Sequence, residues 1–233
     1  MIILYSYLIF SFCFANPYAR TRVSKRINDT TNYKIKVNKK IIILVIFINS
    51  KLLEEHKNNN LFWIDLEMTG LSDNQIILEI ASLITNENLE ILEQGPEITI
   101  KRNKTELSVM EEWSKINHKK SGLIKKVLES KITIKKAEDM TIDFLNKWCP
   151  KNEKLPLCGN SIWVDRLFLK REMPKLETML HYRMIDVSSI KELAKRWYGK
   201  NGISPEKKSS HRALDDIVES VNELKWYKAN IFQ

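Results

Sequence analysis

Residues 61–68 read LFWIDLEM, and this stretch decides the fold. Ile64, Leu66 and Met68 alternate with Asp65 and Glu67, the two-residue period of a β-strand with one face in apolar packing. Asp65 and Glu67 therefore share the other face. Two carboxylates about 7 Å apart at their Cα atoms repel each other. A divalent cation between them removes that cost, and oxygen-only ligation suits magnesium or manganese. The plainer alternative is a solvated edge strand that happens to carry two acids.

Downstream, IILEIASLIT (Ile76–Thr85) and Ile91–Lys101 read as further strands, with turn residues at Ser72–Asn74 and Gly95–Pro96. Three strands in quick succession predict an antiparallel meander. Residues from Leu107 to Glu129 read as helix in two pieces, broken near Ser121–Gly122. Ile134–Trp148 is an amphipathic helix with Ala137, Met140, Ile142, Phe144, Leu145 and Trp148 on or near one face. Leu155–Cys158 reads as a short buried strand, and Val164–Arg171 as a helix that stops before Pro174. Arg183–Val187 reads as another strand, and Ser188 or Ser189 as the cap of a helix through Trp197. Gly199–Ser210 is a polar loop. A last helix from Arg212 to Tyr227 carries Leu214, Ile217, Val218, Val221 and Leu224 at helical spacing. Strands first, then strand–helix alternation, predict an α/β domain: a mixed β-sheet flanked by α-helices.

The 233 residues suffice for one well-cored domain plus an extension. The boundary falls near residue 60. Residues 1–60 hold ten Lys/Arg and three Asp/Glu, a net of +7 out of the chain's +9, so residues 61–233 carry only +2. A nearly neutral domain lacks the strong field of a protein that tracks long nucleic acid. Met1–Ala15 is apolar but short for a membrane span, and Arg20, Arg22, Lys25 and Arg26 follow it. Residues 1–60 are open to three readings: a mitochondrial leader, a secretory or membrane signal, and a mispredicted start. Met68 is the first methionine after Met1 and lies inside the deciding strand. The three cysteines, Cys13, Cys149 and Cys158, match no zinc spacing and imply no disulfide framework; Cys149 and Cys158 read as small buried hydrophobes.

Two further acids join the first pair as candidates. Asp165 falls in the first turn of a helix, where the helix dipole favours an acid whatever its function. Asp216 lies beside the buried stripe of the last helix, whereas Asp215 is rotated about 100° away and reads as solvated. His211, five residues before Asp216, sits at a loop–helix junction, where an imidazole can take a proton from a metal-bound water. Taken singly, Asp165, Asp216 and His211 are each better explained as ordinary polar residues of a helix start or surface.

Together they form an ordered pattern: D-x-E on a first strand, an Asp opening a middle helix, and H-x-x-x-x-D on a last helix. This pattern is similar to that of the DEDDh exonucleases of the ribonuclease-H-like fold. Longer words narrow the resemblance. WIDLEMTGL (63–71), ILEIASLIT (77–85), CGNSIWVDRLFL (158–169), HYRMIDVSSIKELAKRW (181–197) and HRALDDIVESVNEL (211–224) all resemble the oligoribonuclease family, and the likeness runs from Leu61 to Phe232.

The resemblance implies a 3′→5′ exoribonuclease that degrades short single-stranded oligoribonucleotides, down to dinucleotides, to 5′-mononucleotides. It implies Asp65, Glu67, Asp165 and Asp216 as ligands of two divalent ions, Mg2+ or Mn2+, and His211 as general base. One ion would activate the attacking water and the other would stabilise the leaving 3′-oxygen. It implies Leu71 as a wedge against the terminal bases and Trp113 as a stacking platform. Ser161, Arg183 and Ser188 would close on the 5′-phosphate, with Ser189 as an additional donor. Tyr182 would reach the site of a neighbouring subunit, making the protein a homodimer. Trp163, two positions before Asp165, is bulkier than residues often found there in the family. Two other readings keep the same residues: a DNA-directed exonuclease of the superfamily, and a catalytically silent RNA-binding protein. A membrane-anchored protein would rest on Met1–Ala15 alone.

Overall fold

The computed structural model describes residues 59–149, 153–205 and 212–232. Residues 1–58, and with them Cys13 and the leader readings, lie outside the described residues. So does His211.

The strand LFWIDLEM spans Leu61–Met68 (β1), as its alternation predicts. It pairs antiparallel with Ile77–Thr85 (β2), which pairs in turn with Ile91–Gln94 (β3) and Ile98–Thr99 (β4). The expected single strand from Ile91 to Lys101 is thus two short ones. Pro96 has no N–H for a ladder and Gly95 packs tightly: a Cβ there would lie 2.5 Å from Ser82 Oγ. The other half of the sheet is parallel. Leu157–Gly159 (β5) lies beside β1, and Met184–Asp186 (β6) beside β5, giving the order β3-β2-β1-β5-β6 with β4 against β2.

The helical region after β4 has three pieces rather than two: Lys104–Leu107 (α1), Glu112–Lys120 (α2) and Leu123–Glu129 (α3). The break before α3 falls at Gly122, whose φ of 79° suits a residue without Cβ. Ile134–Trp148 (α4) has its predicted bounds, and Thr133 caps it by accepting from Lys136 N–H. Ile162–Glu172 (α5) ends before Pro174 as expected, but Pro174 also begins a helix, Pro174–Met179 (α6), that was not foreseen. Proline at the first helical position gives up only an N–H that would have no helical partner. Val187–Tyr198 (α7) is capped by Asp186, whose carboxylate accepts from Ser188 N–H. Neither Ser188 nor Ser189 is the cap. A 3-10 turn, Gly199–Gly202, occupies the start of the predicted polar loop, and Ala213–Asn230 (α8) is the last helix.

β1 and β2 are sandwiched. Phe62, Ile64 and Leu66 of β1 meet Phe144 and Leu145 of α4 and Phe168 and Leu169 of α5 in one core. Trp63 of β1 meets Val187 and Ala194 of α7 and Ile217, Val221 and Tyr227 of α8 in the other. Trp63 also donates its indole N–H to Thr85 Oγ1 at 3.0 Å, so the ring is buried without an orphaned donor. By strand parity, Asp65 and Glu67 face the α8 side. Cys158 is buried in that core, while Cys149 is half-buried and its Sγ–H reaches Glu153 O at 2.8 Å. Among the described residues, no helix is long and apolar enough to cross a membrane.

Candidate active site

The site forms where β1 outruns its parallel neighbour. β5 pairs with β1 only at Phe62 and Trp63, so β1 runs on beyond the end of that pairing. Asp165, in the first turn of α5, meets that stretch: its Oδ1 accepts from Leu66 N–H at 3.0 Å. This contact ties the middle helix to the first strand across 99 positions of sequence. The ladder with β2 shifts register between Glu67 and Met68, an irregularity that re-aims a strand's side chains.

Asp65, Glu67 and Asp216 form one group, each offering a carboxylate oxygen within 4.8 Å of the others. Asp216 is half-buried at the start of α8, while its neighbour Asp215 is exposed. Asp165 stands outside this tight group but is buried beside it, and its charge acts on Glu67. Burial, followed by the charges of Asp216, Glu79 and Asp165, pushes the Glu67 carboxyl up to about 8. Burial also raises Asp165, opposed by its backbone hydrogen bonds and assisted by the charge of Asp186. Clustered carboxylates whose ionisation is opposed by burial and by one another are the donor set that a hard divalent cation compensates.

The consequence for stability has a definite sign. Folded Glu67 keeps a proton up to about pH 8, whereas its ordinary value is 4.5. Its contribution is complete below pH 4.5 and lost as pH rises through 8, because the unfolded chain has already released that proton. With a chelator present, the melting temperature is expected to fall between pH 5 and 8.5, by something on the order of 5 °C for a domain of this size. Magnesium should restore it at pH 8.5, and Glu67→Gln should flatten the slope. Calorimetry across that range, with and without the ion, checks it.

Residues that were not singled out in the sequence hold this site together. His118 is buried on α2, with Nε2 2.8 Å from Met68 O and Nδ1 3.7 Å from Glu67 Oε2. Glu111, preceding α2, clamps the turn that follows β1. Its backbone N–H donates to Thr69 O, and its carboxylate accepts from Leu71 N–H, Ser72 N–H and the Ser72 hydroxyl at 3.3, 3.2 and 2.5 Å. Gly70 is required for the clamp to close, since a Cβ there would lie 2.3 Å from the Glu111 side chain. Leu71 is presented outward, 67% exposed, and Trp113 is 66% exposed on the first turn of α2, so it is not a core tryptophan.

A second cluster lies at the start of α5 and α7. Ser161 has a left-handed backbone, φ 50°, and its N–H is shared between Asp186 Oδ1 and Ser188 Oγ, each at 3.0 Å. The Ser161 and Ser188 hydroxyls meet at 3.1 Å, and Ser188 donates to Asn160 Oδ1. Asp186 organises the cluster by binding both Ser161 N–H and Ser188 N–H. Ser189 is exposed. Arg183 and Tyr182 form a separate pair, the guanidinium 5.2 Å from the ring centroid, on the segment before β6. Arg166 holds that segment by donating to His181 O and Tyr182 O.

An exonuclease family model matches residues 62–224. The oligoribonuclease of Vibrio vulnificus is 50% identical over 177 residues, covering 76% of this chain and 97% of its own. That of Photorhabdus laumondii is 47% identical over 176 residues, covering 75% and 97%. Among solved structures, the nuclease domain of 3′hExo, a DEDDh family member bound to rAMP, matches with a TM-score of 0.52 at 14% identity, covering 76% of this chain and 94% of that one. Escherichia coli exonuclease I with a dT13 oligonucleotide matches with a TM-score of 0.57 at 11% identity, covering 75% and 42%. These structures share the fold, and the sequence relatives go further: a domain whose first strand, middle helix and last helix bring Asp65, Glu67, Asp165 and Asp216 together, and whose sequence is half identical to nearly whole oligoribonucleases, belongs to the oligoribonuclease family.

Proposed function

We propose that this chain removes nucleotides one at a time from the 3′ end of short single-stranded RNAs, finishing with dinucleotides and releasing 5′-mononucleotides. Family membership makes it a 3′→5′ exoribonuclease and a user of divalent metal. The observation that carries the hydrolytic reading is the carboxylate group of Asp65, Glu67 and Asp216 lying next to buried Asp165. Those four residues would hold two Mg2+ or Mn2+ ions, which supply an activated water and charge stabilisation at the leaving 3′-oxygen. His211, five residues before Asp216 in sequence, would take the proton of the attacking water.

The remaining residues bind and orient. Leu71 and Trp113, both outward-facing, would pack against bases without reading their identity, as stacking does. Ser161 and Ser188 would offer hydroxyls to the 5′-phosphate, with Ser189 as a further donor, and Arg183 a bidentate fork. Tyr182, 72% exposed near the β6 edge, would reach a second subunit's site in a homodimer. Exposed Trp163, Leu167 and Met184 on α5 and β6 provide apolar surface for such an interface. The bulk of Trp163 then faces a partner subunit and not the substrate. Residues 1–60 would be an extension outside the catalytic domain.

Glu111 would set substrate fit through the Leu71 turn. Glu111→Gln is expected to raise KM for a dinucleotide several-fold, with kcat changed less than about twofold, because a neutral amide weakens three contacts that hold a binding residue. Steady-state kinetics separates the two constants.

Length preference tests the substrate reading. The full chain with magnesium should show kcat/KM for a 5′-phosphorylated diribonucleotide at least tenfold above that for a 20-nucleotide RNA. Faster cleavage of long single-stranded DNA would instead identify a DNA-directed exonuclease.

A further inference from the structure

The net charge of +2 over residues 61–233 conceals a strong separation of charge. Residues 113–136 hold eight lysines, Lys115, 119, 120, 125, 126, 131, 135 and 136, against one acid, Glu129. Without that segment the domain is net −5. All eight lysines are exposed, because the inward positions of these helices are taken by Ser114, His118, Leu123, Val127 and Ala137. Among the described residues, the ridge's one ion pair is Lys125–Glu129 at 3.9 Å, between two exposed side chains. Such a pair contributes almost nothing. Lys115 and Lys119 stand four apart on α2, where like charges repel along a helix face.

The ridge also has shape and apolar character. A shallow groove of about 420 Å³ runs between Lys119, Gly122, Ile124, Lys125, Leu128 and Glu129. Ile116 and Leu128 are exposed among the lysines. Cations interleaved with apolar side chains along a groove match a flexible strand that offers both phosphates and base faces. An anionic membrane would instead call for a continuous apolar helix face, and the helices of the ridge turn their continuous apolar stripe inward.

We propose that the lysine ridge of α2, α3 and the start of α4 binds single-stranded RNA longer than the hydrolytic site holds, outside that site. That the strand is RNA rests on the exoribonuclease reading; that it is a polyanion rests on the charge alone. The ridge would hold the enzyme on longer transcripts while the site consumes short ones.

The test uses the full chain and the variant K119Q/K120Q/K125Q/K126Q, in which glutamine keeps helix propensity and removes charge. Fluorescence anisotropy with a labelled 20-nucleotide RNA, in chelator and 50 mM salt, should show binding at least tenfold weaker in the variant. The slope of log affinity against log salt should fall by roughly 2 to 3, as expected for four lost contacts to a single strand. Turnover of a 5′-phosphorylated diribonucleotide should stay within twofold of the parent. RNA affinity within twofold of the parent would overturn the proposal and assign any polyanion binding to residues 1–60. Ridge-dependent binding of phosphatidylserine vesicles without RNA binding would overturn it in favour of a membrane surface. Parallel loss of RNA binding and dinucleotide turnover would overturn the claim that the ridge lies outside the hydrolytic site, whereas no turnover by the parent itself contradicts the exoribonuclease reading and leaves the anisotropy comparison as the measure of the ridge.

Discussion

Asp216→Asn is expected to lower dinucleotide turnover by roughly a thousandfold, with the fold intact. The size follows from the role proposed for the group: it is one of three carboxylates within 4.8 Å, and removing its charge would weaken ion binding and the charge stabilisation that dominates such chemistry. The neighbouring Asp215→Asn should change turnover less than twofold, because Asp215 is exposed. The pair is a sharp control, since both substitutions alter the same helix start and the same net charge. Thermal stability in chelator should rise for Asp216→Asn, because Asp216 is the leading charge opposing ionisation of Glu67. Single-turnover assays and melting curves on the two variants check both halves.

His211→Ala is expected to cost between about a hundredfold and ten-thousandfold in kcat, the range of a positioned general base. An imidazole accepts a proton only when neutral, so the parent rate should climb with pH on its acid side. The variant should lose that rise while retaining magnesium-dependent binding of a dinucleotide. A purely structural role for His211 would leave the shape of the pH profile unchanged and alter the melting temperature instead.

The sequence made the centre of this domain readable for one reason: the informative residues sit inside regular periods. Alternation in LFWIDLEM puts Asp65 and Glu67 on one face, and the 100° step of a helix separates Asp216 from Asp215. α4 was legible to the residue because Thr133 caps it and its apolar face is complete. What stayed hidden depends on contacts remote in sequence. Nothing near Asp165 announces that it satisfies Leu66 N–H, and nothing near Glu111 announces the Leu71 turn. His118 could have been suspected only as a polar residue on the inward stripe of α2, in step with Ser114. Asp186 was overlooked because Ser188 and Ser189 are equally good caps, and only the ending of β6 decides among them. Pro174 was read as a stop when it is also a start. The charge sum is coarser: over 173 residues it averages away the lysine ridge, which appears only when charges are assigned to surfaces.

In the function proposed above, the carboxylates of β1, α5 and α8 use divalent metal to hydrolyse very short RNA. The most direct test is to incubate the full chain with a 5′-phosphorylated diribonucleotide and resolve the products by ion-exchange chromatography. Complete conversion to two 5′-mononucleotides is expected with magnesium, and none with excess chelator. An intact dinucleotide in the presence of magnesium, or conversion that persists in chelator, would contradict it.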